Sequence, residues 1–182
     1  MMLSPREFTR KLARDCEPLY QFHEENVRNY FDRKPSREEL VEYFSRRMIN
    51  ERINAIELSR RVSLMTMGSD PTEMRMLTKQ AMDEAKHFAY VKEIVEDYKG
   101  EEIDVQETFD RIQQAQLSGE DESIRPATLL ERFECATDPL ALAIYQYIAE
   151  GMAARNWAMT AECAPTELIK KRYAEIAKDE RF

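Results

Sequence analysis

The sequence predicts an all-α fold of four long helices in two antiparallel hairpins, with a long crossover between helices two and three and an N-terminal helical hairpin ahead of them. Three observations predict it. Prolines at 5, 18, 35, 71, 126, 139 and 165 punctuate segments with 3.6-residue apolar periodicity, and no run alternates as a strand would. Ser4-Pro5-Arg6-Glu7 and Ser36-Arg37-Glu38-Glu39 read as capping boxes, the first with proline at the opening helical position. Only four glycines occur, at 68, 100, 119 and 151. A phosphate-binding loop or dinucleotide fingerprint needs clustered glycines, so both are excluded.

In order along the chain, the N-terminal hairpin covers about 5–33, helix one about 36–67 and helix two about 71–98. Residues 100–125 are polar and hold at most one short helix, near 104–117. Helix three covers about 139–162, with an extra turn or separate piece from 126. Helix four starts near 165 and is still running at Phe182. Helices of 24–30 residues span roughly 35–45 Å at about 1.5 Å per residue. Tight turns at 68–71 and 163–165 make the two hairpins, and the polar segment runs back along the bundle. Pro71-Thr72-Glu73 leading to Asp83-Glu84 and Pro165-Thr166-Glu167 leading to Asp179-Glu180 form a faint internal repeat.

Composition narrows the function classes. A length of 182 residues predicts a single domain. The formal charge of −8, with no long basic run, argues against nucleic acid as a ligand. Cys16, Cys135 and Cys163 are odd in number and widely spaced, which points to a reducing compartment rather than disulfides or a zinc site. No N-terminal apolar run and no membrane-length apolar stretch occur, so a cytoplasmic protein is expected.

The chemistry lies in acids on apolar helix faces. Glu84 falls within the stripe Met74, Leu77, Ala81, Phe88, Val91 and Val95, and His87 is its neighbour one turn on. Between Pro139 and Ala161 the only charged residues are Glu150 and Arg155, and Glu150 sits among Tyr147, Ala154 and Trp157. Glu180 continues the stripe of Leu168, Ile169, Tyr173 and Ile176. A buried carboxylate costs several kcal/mol unless paired or bound to a metal. Helix one offers Glu39, Glu42, Glu51 and Glu57. With the turn centred near 70.5, Glu57 and Glu84 are equidistant from it, whereas Glu51 lies about 9 Å out of register at about 1.5 Å per residue. About the second turn, Glu150 and Glu180 match to one residue. Two hairpins therefore each set two acids at mid-bundle height, and carboxylates with an imidazole suit iron or manganese.

The order Glu57, Glu84-x-x-His87, Glu150, Glu180 resembles the ferritin-like di-iron carboxylate proteins. Asp83-Glu84-Ala85-Lys86-His87 is similar to the metal motif of phenylacetyl-CoA epoxidase catalytic subunits. The spacing from Glu57 to Glu84 and the run Lys178-Asp179-Glu180 are similar to aldehyde-deformylating oxygenases. The resemblance covers about 49–98 and 140–182. It implies Glu57 and Glu150 as terminal ligands, Glu84 and Glu180 as bridging ligands, and His87 as one imidazole. It also implies a second histidine three residues after Glu180, at position 183, so the chain is expected to be cut or partly ordered at its C-terminal end.

By the same resemblance, the expected cofactor is two iron ions, with manganese or a mixed pair as variants. The expected activity is oxygen activation toward a small organic substrate, served by an electron donor, in a homodimer. Tyr147, Ala154 and Trp157 are candidate pocket walls. A ferroxidase or peroxide scavenger, a non-catalytic subunit of an oxygenase complex, and a haem-oxygenase-like helical architecture are the alternatives. A ferroxidase needs an acidic path for incoming iron, and no acid besides Glu150 lies between Pro139 and Ala161 to line one.

Overall fold

A computed structural model describes residues 4–117 and 139–180. Among the described residues there are six helices and no strand: α1 (Pro5–Asp32), α2 (Arg37–Ser63), α3 (Pro71–Lys99), α4 (Val105–Leu117), α5 (Pro139–Cys163) and α6 (Glu167–Asp179). The described residues adopt the predicted all-α class. The predicted helical piece from 126, the end of the crossover and the continuation beyond Glu180 lie outside the described residues. The chain divides into two compact units, Met1–Pro35 with Asp138–Phe182 and Ser36–Thr137.

In the first unit, both halves of the Ser4 capping box form. Ser4 Oγ accepts from Glu7 N at 3.3 Å, and Glu7 Oε2 accepts from Ser4 N at 2.9 Å. These bonds from Ser4 hold the Glu7 carboxyl below its ordinary range. The predicted hairpin over 5–33 is instead one helix of 28 residues with Pro18 inside it. Proline there removes a single N–H while its fixed φ still suits a helix. Contacts to α5 on both sides of Pro18 offset that loss. Arg155 of α5 donates to Glu17 at 2.8 Å and to Glu24 at 2.7 and 2.9 Å, and its guanidinium lies 5.4 Å from the centre of the Tyr20 ring. Tyr20 lies against Gly151, where an added Cβ would come 2.7 Å from its hydroxyl. Thr166 caps α6, which packs Ile169, Tyr173 and Ile176 into the core.

In the second unit, α2 and α3 form the predicted antiparallel hairpin with α4 against α2. Helix α2 ends at Ser63, four residues short of the expected end. Thr66 and Ser69 take the backbone elsewhere: Ser69 N donates to Thr66 O at 3.0 Å, and Thr66 N donates to Ser69 Oγ at 3.0 Å. Asp70 then caps α3 through Thr72 N at 2.7 Å. Gly100 ends α3 in the left-handed region, φ 75°, which a glycine adopts without a Cβ clash. No helix among the described residues is long and apolar enough to cross a membrane.

Candidate metal centre

The buried residues Leu40, Phe44, Met48, Glu51, Ala55 and Leu58 of α2 recur every three or four positions and form one stripe. The facing stripe of α3 carries Leu77, Ala81, His87, Val91, Ile94 and Val95. Apolar contacts fix the hairpin at both ends. Phe44 meets Tyr98 at 6.5 Å between ring centres, and Arg37 Nε donates to Tyr98 O at 2.5 Å. Toward the turn, Leu58, Leu77 and Ala81 pack with Val62 and Met65, and Arg61 bridges to Glu73 at 3.1 Å.

Between these two apolar ends sit Glu51, Glu84 and His87. One ligand atom from each lies within 4.8 Å of the other two. His87 is 1% exposed and Glu51 6%, and Glu84 is half-buried. His87 Nδ1 lies 3.8 Å from Glu51 Oε2. Asn54 Nδ2 donates to Glu84 Oε1 at 3.4 Å. Glu84 and His87 share a face because they are three residues apart on one helix.

The donor set suits a divalent transition ion. Two ligands on opposite sides of such an ion, each at about 2.1 Å, are about 4.2 Å apart, so the 4.8 Å envelope closes with a small side-chain movement. Charge points the same way. Two neighbouring carboxylates repel one another more strongly in low-dielectric surroundings, and a cation held between them relieves that repulsion.

Of the predicted ligands, the structure brings Glu84 and His87 together and joins Glu51 to them. The register centred on 70.5, which puts Glu51 out of reach of this level, is corrected: Glu51 faces His87. The pairs Glu51–His87 and Asn54–Glu84 are both centred on position 69, not on 70.5. The level opposite Glu84 therefore belongs to Asn54. Glu57 is half-buried on α2 and outside the three-residue group. Six residues along a helix also turn it about 120° from the face of Glu51. The signal for Glu51 was present in the sequence: it is an acid on the same apolar stripe as Phe44, Met48 and Leu58, the criterion that singled out Glu84.

Glu150 and Glu180 belong to the other compact unit. Glu150 is half-buried on α5, and Glu180 is the C-cap residue of α6 instead of a mid-helix position. Tyr147 is 42% exposed, while Trp157 is buried against Tyr173 with ring centres 5.5 Å apart. Ala154 is half-buried.

A separate cleft of 530 Å³ in the second unit is lined by Arg37, Glu42, Tyr98, Ile103 and Arg111 among others, and none of the three grouped residues reaches it. Burial raises the Glu42 carboxyl there, but hydrogen bonds from Arg111 and Arg46 more than offset it and leave it below its ordinary range.

No family model, no curated protein and no solved structure matches this chain.

Proposed function

We propose that the chain is a metal-dependent oxidoreductase whose centre is built on the α2–α3 hairpin and takes iron or manganese through Glu51, Glu84 and His87. The observation that carries the reading is the buried grouping of two carboxylates and one imidazole with ligand atoms within 4.8 Å of one another. Carboxylate and imidazole donors together favour iron or manganese over softer ions.

Such a metal supplies one-electron chemistry and oxygen activation, with reducing equivalents from an external donor. The chain's own residues do the rest. Glu51 and Glu84 would offset the cation's charge with their carboxylates, His87 would provide a neutral donor, and the apolar packing from Phe44 to Tyr98 and from Leu58 to Ala81 keeps bulk water from both ends. Three protein donors leave coordination positions for oxygen or substrate. The activity proposed is oxygen-dependent oxidation of a small organic molecule. In the two-metal form expected from the ferritin-like resemblance, a second ion needs carboxylates beyond Glu51 and Glu84, and Glu57 of the same unit is a candidate.

A second reading rests on the 3.8 Å separation of His87 and Glu51: a buried acid–imidazole pair that takes no metal. The test is anaerobic addition of ferrous iron or manganese, removal of loose metal, elemental analysis, and then oxygen uptake with and without candidate acyl or aromatic substrates. One or two tightly held ions per chain and substrate-dependent uptake are expected. No retained metal overturns the proposal in favour of the ion pair. Many-fold conversion of ferrous iron to ferric mineral without substrate overturns the oxygenase reading in favour of iron handling.

A further inference from the structure

We infer that Asn54 is a positioning residue that makes Glu84 bind its metal through one oxygen only, an inference that rests on the metal-centre reading above. Asn54 stands one turn along α2 from Glu51, on the level of Glu84 across the hairpin. Its Nδ2 donates to Glu84 Oε1 at 3.4 Å, long for an N–H···O contact but between half-buried side chains. The other carboxylate oxygen, Oε2, is fully buried.

The chemistry follows from what an amide offers. Asn54 presents an N–H donor and no charge, so it occupies one carboxylate oxygen without competing for a cation. A carboxylate whose Oε1 is held by a donor has Oε2 left to ligate, whereas a carboxylate with both oxygens available closes on the ion bidentately. Each oxygen of Glu84 kept off the ion leaves one more coordination position for an exogenous ligand. An aspartate at 54 would instead set a third carboxylate at this level. Asn54 thus controls coordination number without being a ligand, as outer partners of metal-binding side chains do.

The test uses the whole chain with cobalt(II), whose visible absorption weakens as coordination number rises. Asn54→Ala removes the donor. Asn54→Leu removes it while keeping the branched side-chain shape and favouring the helix, which guards against a folding defect in the alanine variant. Both are expected to lose about 10-fold or more in cobalt affinity and to show a weaker visible band than wild type, because Glu84 becomes bidentate. A structural role alone lowers stability and leaves the band of the bound ion unchanged. Wild-type affinity and band in both variants overturn the role of Asn54 while the metal centre stands. A wild-type chain that binds no cobalt overturns the metal centre and this inference together.

Discussion

His87 Nδ1 on α3 lies 3.8 Å from Glu51 Oε2 on α2, and both side chains are buried. An acid and an imidazole on facing helices, with a second acid one turn away, are the arrangement that the sequence predicted with a different first partner. Glu51 and Glu57 are therefore separable by experiment. Glu51→Gln, which keeps shape and removes charge, is expected to weaken manganese binding by on the order of 100-fold, since a ligand charge is lost from a buried site. Glu57→Gln is expected to change binding of the first ion by less than about threefold. Equilibrium dialysis of the two variants decides between them, and the reverse ranking restores the register centred on 70.5.

Metal should also stabilise the fold. An ion that binds only the folded chain adds about 2.7 kcal/mol at a free concentration of 100 Kd. For a chain of this size that corresponds to roughly 5–10 °C in Tm. Thermal melts in excess manganese and in excess chelator are expected to differ by that amount, and Glu51→Gln is expected to abolish most of the difference. Superimposed wild-type melts contradict binding to the folded state.

The clamp of Arg155 on α1 has a defined pH dependence. A hydrogen bond from Arg155 holds the Glu17 carboxyl below its ordinary value of 4.5. A depressed carboxyl contributes stability that is fully present above the ordinary value and is lost as pH falls through the lower folded value. Arg155→Ala is expected to lower Tm at pH 7 by on the order of 3 °C. The gap to wild type should narrow as pH drops below 4.5. The Glu17 side chain is 46% exposed, so high salt should narrow the gap as well. A gap that widens in acid contradicts the assignment.

Gly151 should not tolerate a methyl group. In an open helix, Gly→Ala stabilises by roughly 0.5–1 kcal/mol. Here the new Cβ meets Tyr20 Oη at 2.7 Å and Cζ at 3.1 Å. Because Tyr20 is buried beneath Arg155, its ring has little room to retreat. Gly151→Ala is expected to destabilise the wild type and to do so less in a Tyr20→Phe background, as chemical denaturation of the four proteins of the cycle would show.

The helices were legible because their ends carry local chemistry. Ser4 and Ser36 cap where expected, and prolines mark the helix starts at Pro71 and Pro139. Pro18 does not break α1 as its sequence position predicts, because one proline removes one hydrogen bond and tertiary contacts from Arg155 span it. Glu84 and His87 were legible as polar residues on an apolar stripe. Periodicity alone does not pair Glu51 with His87, because opposing positions in a hairpin depend on the path of its turn. Moving the centre from 70.5 to 69 shifts every opposing residue by three positions, nearly a full helical turn. The bonds between Thr66 and Ser69 that set this path are side-chain geometry, not periodicity.

The central claim is that Glu51, Glu84 and His87 together hold a metal ion. Its most direct test is a manganese(II) titration followed by electron paramagnetic resonance, in which the six-line signal of the free ion is suppressed on binding. Wild type is expected to suppress the first equivalent of signal, and His87→Ala and Glu84→Gln to leave it free at the same concentrations. Titrations of wild type and both variants that coincide with buffer alone would contradict the account.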